Sequence, residues 1–352
     1  MKFVSLVPLV LVLMLSKAGD SIEDYCLEEQ KFKETLGEAL YNHIASDKND
    51  DKDKSYRKIS LKSDKVYKVI TYGSPETKEA LIKIVDQKDS ELVLTEIKRL
   101  ILLKDLKVTP NYEGCLKLND KYIIIHEKVH DDLFSEKMIG MFKGLNRVKK
   151  TFKFIQIAMA IQTLHSKKLT HQSIRPYNIV SVDPEMTDLR ILDLSYSKEI
   201  GDSVNLGKSD YDIRSELYRV DMYKANFRQD AYACAITMIN LLNGDESLFT
   251  NVKFKTLTNF TTYKNSMTHY FDQSLSKTSF TELTGFFRST LLLNHTKVNI
   301  NLMIEKLFDI YTGLQKTNLK ENLDEKVKEF KVKFQSNSKA INSILSSPRK
   351  VI

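Results

Sequence analysis

Cysteine is too scarce in this chain to build a scaffold. There are three in 352 residues, far below the dense spacing of domains that depend on disulfides. Cys26 and Cys115 could pair, although nothing in the sequence requires it. Cys234 lies in DAYACAITMINLL, where an apolar helix buries a thiol as a small hydrophobe. Long apolar runs are missing beyond the first residues, and a bilayer-spanning helix needs about 20 such positions. A basic stripe is missing too. Lysine and arginine (54) outnumber aspartate and glutamate (46) for a net charge of +8, but the signs alternate throughout, which argues against a nucleic acid partner. No internal repeat is present. What remains is a globular composition: 42% hydrophobic residues bury a large core, and the length suits one large domain or two packed lobes.

The opening MKFVSLVPLVLVLMLSKAGD has Lys2, an apolar run from Phe3 to Leu15 and small residues at Ser16 and Ala18. This arrangement predicts a secretory signal peptide over residues 1–18, a mature chain beginning near Gly19, and no membrane span after cleavage. A secreted or lumenal protein is then expected, and the sequons at Asn259 and Asn294 become glycosylation candidates. The terminus SSPRKVI carries no K-D-E-L-type address.

Residues 19–55 divide into a short amphipathic helix, with Leu27, Leu36, Leu40 and Ile44 at helical spacing, and the charged linker SDKNDDKDKS. From 56 to 130 the signals are strand-like (RKISL, KVYKVITY, ALIKIV, KYIIIHEKV), interrupted by one helical segment, SELVLTEIKRLILLKDL. From 131 to 315 helical periodicity takes over, in KKTFKFIQIAMAIQTLHSKK, DAYACAITMINLLNG and FTELTGFFRSTLLL. Residues 316–352 carry Leu319, Leu323, Val327, Phe330, Phe334, Ile341 and Leu345 on one helical face, either packed on the same domain or offered to a partner.

The motifs follow in a fixed order. ALIKIV holds Lys83, VLTEIKRL holds Glu96, HQSIRPYN runs from His171 to Asn178, RILDLSYSK holds Asp193, and QDAYACAITMINLLNG opens with Asp230. In this order and spacing, roughly residues 56 to 315 resemble the eukaryotic protein kinase family. The resemblance implies an α+β, bilobal fold, with a small β-rich lobe carrying one helix and a larger helical lobe. It implies that Lys83, paired with Glu96, would hold ATP phosphates, that Leu81, Glu127 and Val129 would line the nucleotide site, and that Asn178 and Asp193 would ligate Mg²⁺. Leu100, His171 and Leu194 would be structural packing residues, and Asp230 the acid that anchors the large lobe.

The departures from the family pattern decide the expected activity. Ser173 stands where the family has its catalytic aspartate, with Arg175 nearby, and a neutral hydroxyl is a poor proton acceptor. Gln172 replaces an arginine that grips a phosphorylated loop, and Leu194 and Ser195 replace Phe and Gly after Asp193. The glycine-rich loop is gone, its positions holding Ile59, Leu61 and Asp64, and Leu81 replaces an alanine facing adenine. Met222 and Val298 replace a glutamate–arginine pair together, as expected of a site repacked to stay folded. The resulting expectation is a secreted or lumenal pseudokinase acting as a scaffold or allosteric partner of another protein, with no confident catalytic residue and at most weak ATP and Mg²⁺ binding. A divergent active kinase and an ATP-binding switch without chemistry are the alternatives.

Overall fold

The computed structural model describes residues 21–45, 56–58, 66–72, 78–205, 222–244, 280–287, 299–315 and 324–346. The leader, the linker 46–55, Ile59, Leu61, Asp64, the Met222 side chain, Val298, Leu319, Leu323 and both sequons lie outside the described residues. The chain forms two compact units, Met1–Asp132 with Val180–Tyr196, and Leu133–Ile179 with Ser197–Ile352.

The first unit is built on a five-stranded antiparallel sheet in the order β1-β2-β3-β5-β4, from β1 (Tyr56–Lys58), β2 (Val66–Tyr72), β3 (Lys78–Asp86), β4 (Tyr112–Leu118) and β5 (Lys121–Glu127). Strands β3 and β5 are buried on both faces, which is why KEALIKIVD and KYIIIHE are nearly continuous apolar runs. Side chains alternate across the sheet, so Leu81, Lys83 and Val85 share one face while Ala80 and Ile82 share the other.

The predicted single helix over 21–45 is in fact a 3₁₀ turn at Ile22–Asp24 followed by two helices, α1 (Glu29–Leu36) and α2 (Glu38–Ala45). Gly37 separates the helices at φ +103°, a backbone conformation that side-chain-bearing residues avoid. Phe32, Leu40, Tyr41 and Ile44 pack into one core with Ile70, Ala80, Ile82, Leu116, Ile123 and Ile125. The N-terminal segment thereby covers a face of the sheet.

Strand β4 gave no clear signal in the sequence, because YEGCLKL mixes a glycine with charges, and its register against β5 shifts between Tyr112 and Gly114. Gly114 lies so close to α1 that a Cβ there would come within 2.7 Å of Leu36 Cδ1. Leu27 adds a parallel bridge to Leu116: its N–H donates to the Cys115 carbonyl (2.8 Å) and its own carbonyl accepts from Lys117 N–H (3.1 Å). Cys26 and Cys115 are joined in a disulfide, which resolves the pairing that the sequence left open.

Helix α3 (Ser90–Leu103) buries Val93, Glu96, Ile97, Leu100 and Leu103, an apolar stripe at helical spacing interrupted by one carboxylate.

The second unit is helical, with α4 (Glu136–Gly144), α5 (Arg147–Ser166), α6 (Phe227–Asn243), α7 (Thr281–Phe287), α8 (Ile300–Gln315) and α9 (Asp324–Ser346). Ser135 and Asn146 cap α4 and α5, accepting from Met138 N–H and Lys149 N–H. Asn226 and Gln229 form a reciprocal capping box at the start of α6, and Gly244 ends it at φ +62°. Helix α5 is buried on nearly every side, which explains its length without an amphipathic stripe.

Helix α9 packs along α5 in the same unit. Gln162 Nε2 donates to Asn301 Oδ1 (2.8 Å) and Ser338 Oγ (3.1 Å), Asn337 Nδ2 donates to Thr163 Oγ1 (3.1 Å), and Phe330 lies against Phe152. The expected apolar face is corrected at one end. Val327 and Ile341 are buried, Phe330 and Phe334 half-buried, but Leu345 is 52% exposed in the last turn.

The disulfide closes 89 residues of chain, so the Cys26→Ser, Cys115→Ser double variant should lose about 2–5 kcal/mol of unfolding free energy. Chemical denaturation of the oxidised wild type beside the double variant measures it. Equal midpoints and slopes would show that the cross-link contributes nothing.

Candidate functional site

Strand β3 carries Lys83 on the same face as Leu81, two residues before it, directly across from Ile124 on β5. The lysine is 0% exposed and its Nζ bonds Glu96 of α3. It also donates to Asp193 Oδ1 at 2.8 Å. Asp193 follows the strand Leu189–Ile191 and adopts φ +64°, a left-handed conformation that few non-glycine residues occupy. Ser195, in the 3₁₀ turn Leu194–Tyr196, donates its hydroxyl to the same Oδ1 at 2.6 Å. One ammonium and two carboxylates are thus buried together, with Glu96 1% and Asp193 5% exposed. An ion cluster withdrawn from water this far holds only if every charge is paired and hydrogen-bonded.

Around it, Leu81, Val129 and Leu194 are fully buried and Leu100 nearly so. The Glu127 carboxylate is committed within the unit: it accepts from Asn111 N–H (2.9 Å) and Nδ2 (2.8 Å), with Arg190 Nη1 at 3.9 Å. Sequence reasoning missed His126, which stands opposite both Leu81 and Tyr112 in the sheet register and is 1% exposed. Among the described residues neither of its ring nitrogens has a partner at hydrogen-bond geometry. Burial first, and the Lys83 ammonium second, push its pKa down to about 3, while the Pro110 carbonyl attracts a ring proton without a properly aligned bond.

In the second unit the segment around Ser173 is organised by Asp230, near the start of α6. Its carboxylate accepts from His171 N–H (2.7 Å), Gln172 N–H (2.9 Å) and His165 Nε2 (3.0 Å), the last stacked on Phe227. Gln172 sits at φ +68° and donates through Nε2 to Gln229 Oε1 (3.0 Å), using the side chain that caps α6. Ser173 N–H donates to His171 Nδ1 (3.1 Å), so that nitrogen is the acceptor of the imidazole. Asn178 Nδ2 donates to the Ser173 carbonyl (2.7 Å) and lies 3.3 Å from its hydroxyl oxygen. Arg175 is half-buried just before Pro176. Asp230 was legible as a motif residue; His165 carried no signal apart from its place in a helical run.

The structure therefore joins Lys83, Glu96 and Asp193 in one unit, with Leu81, Leu100, Glu127, Val129 and Leu194 beside them in sequence or fold. It joins His171, Ser173, Asn178 and Asp230 in the other.

Two outcomes follow. Lys83→Met should lower stability by about 3–5 kcal/mol, because it strands two buried carboxylates; a melt unchanged from wild type would show that the cluster is no strut. His126 titrates near 6.5 when unfolded and near 3 when folded. Its contribution is therefore complete above pH 6.5 and is lost as pH falls, at about 1.4 kcal/mol per unit. Between pH 7 and 5 wild type should lose about 2 kcal/mol more than His126→Phe, and parallel pH profiles of the two would refute the assignment.

A family model for the protein kinase domain matches residues 63–334. Serine/threonine-protein kinase D2 of Rattus norvegicus is 25% identical over 144 residues, covering 38% of this chain and 16% of that protein, and the Homo sapiens protein of the same name matches equally. Serine/threonine-protein kinase SBK1 of Danio rerio is 28% identical over 94 residues, 26% of this chain and 24% of that protein. The chain thus spans less than a quarter of the length of the curated relatives it matches. With the lysine strand, the helix that answers it with a glutamate, and the Asp230-anchored segment in the family's order, over a match that takes in most of the residues, the chain belongs to the protein kinase domain family.

Proposed function

We propose that this protein is a catalytically silent kinase domain, a pseudokinase that works as a scaffold or allosteric regulator through contacts with another protein. The observation that carries the reading is Ser173. The position that would accept the substrate hydroxyl's proton holds a neutral side chain, 5% exposed, beside the Asn178 amide. Among the described residues no hydrogen bond joins a carboxylate to the Ser173 hydroxyl, and His171 Nδ1 already accepts from the Ser173 main chain. The cluster across Lys83 supports the same reading, since its ammonium is shared between two carboxylates. By the family resemblance Lys83 would meet ATP phosphates and Asp193 a metal ion, both at the expense of the Lys83–Asp193 bond, and Asn178 of the other unit is the family's further metal-holding residue.

A second reading, slow phosphotransfer to serine or threonine, draws on retention of Lys83, Glu96, Asn178 and Asp193, because positioning and metal electrostatics supply most of this catalysis. The Cys26–Cys115 disulfide favours an oxidising compartment, in keeping with an apolar leader and two sequons, so we place the protein in the secretory route. No helix among the described residues is long and apolar enough to cross a membrane.

Purified protein incubated with labelled ATP, Mg²⁺ and generic acceptor proteins should incorporate no phosphate above an Asp193→Ala control, and Ser173→Asp alone should not restore transfer. Incorporation that disappears in the control would establish the active reading instead. Absence of the expressed protein from the lumen and medium of eukaryotic cells would refute the secretory placement.

A further inference from the structure

We propose that Ser195 is a positioning residue that closes the Asp193 carboxylate against a metal ion, so that Lys83 acts as the built-in cation for both buried acids. The inference deepens the catalytically silent reading and rests on it. Asp193 Oδ1 receives a hydroxyl hydrogen from Ser195 at 2.6 Å and an ammonium hydrogen from Lys83 at 2.8 Å. Both bonds put positive hydrogens where an oxygen-seeking cation would need the lone pairs of that atom. Ser195 is 2% exposed, within a 3₁₀ turn that starts one residue after Asp193, so its short side chain has little freedom to swing away. The φ of +64° at Asp193 is an unfavourable backbone state, and the two bonds to its carboxylate are what the surrounding structure supplies in return.

A glycine at 195 would remove the hydroxyl's bond to Oδ1. The serine changes the balance: Oδ1 takes a second donor without an ion, and Mg²⁺, which gives up its water reluctantly, competes poorly for that oxygen. As it stands, Asp193 Oδ1 does not fit a metal ion, because two donors already point at it.

The test is Mn²⁺ alone, titrated into the full chain and followed by electron paramagnetic resonance, with no nucleotide and no turnover. Ser195→Ala and Ser195→Gly should each bind Mn²⁺ at least about tenfold more tightly than wild type, the worth of one hydrogen bond to a charged group. Ser195→Thr, which keeps the hydroxyl, should behave as wild type, and Asp193→Asn should abolish the gain in the Ser195→Ala background. Thermal melts establish that each variant is folded. Wild type binding Mn²⁺ as tightly as Ser195→Ala, or a Ser195→Thr gain equal to that of Ser195→Ala, overturns the proposal. Phosphate transfer by wild type would overturn the silent reading by a separate measurement, so the two failures are distinguishable.

Discussion

A lysine ammonium held entirely out of water dictates much of what surrounds it. Lys83 cannot be desolvated alone, so β3 must bring it to α3, where Glu96 interrupts an otherwise apolar stripe, and the segment after Leu189–Ile191 must bring Asp193 to the other side. Each partner then has a constraint of its own. Asp193 takes up a left-handed backbone state to point inward, and Ser195 completes its hydrogen bonding. His126, on the neighbouring strand, is held toward its neutral form by exclusion of solvent and, second, by the same ammonium. The charge cluster joins a strand of the small sheet, its helix and the turn after Leu189–Ile191 through one ammonium.

Asp230 solves a comparable problem in the helical unit with a single carboxylate. Three donors converge on it, two from the main chain at His171 and Gln172 and one from the His165 ring, so a segment with little regular structure is fixed as firmly as a strand. The reactive position that this segment would present is Ser173. The proposal of a catalytically silent domain rests on this pairing of an ordered segment with a neutral side chain at that position.

The parts legible in the sequence were those written in periodicity or in motif order. Helix α3 and the strands β3 and β5 could be read from their apolar patterns, and Lys83, Glu96, Asn178, Asp193 and Asp230 from the spacing of the family signature. What escaped depended on contacts distant in sequence. Strand β4 hides its pattern because Gly114 yields space to Leu36, a residue 78 positions earlier. The break at Gly37 lay inside a run whose apolar spacing reads as one helix. His126 looked like an ordinary strand residue, and only the register with Leu81 and Tyr112 reveals it as a buried imidazole. Ser195 was visible as a substitution, but its bond to Asp193 required the turn that follows it.

The kinase-domain match begins at residue 63, whereas the core of the first unit begins near Ile22 and includes Leu27, Phe32, Leu40, Tyr41 and Ile44. The boundary of the family and the boundary of the folded body therefore differ in this protein. A fragment cut at the family boundary would leave Ile70, Ala80, Ile82, Leu116, Ile123 and Ile125 facing water as one contiguous apolar surface, beside an uncovered strand edge at β4 and an orphaned thiol at Cys115. Such a fragment would self-associate, and partners captured with it would report the bared sheet rather than the native surface of the protein.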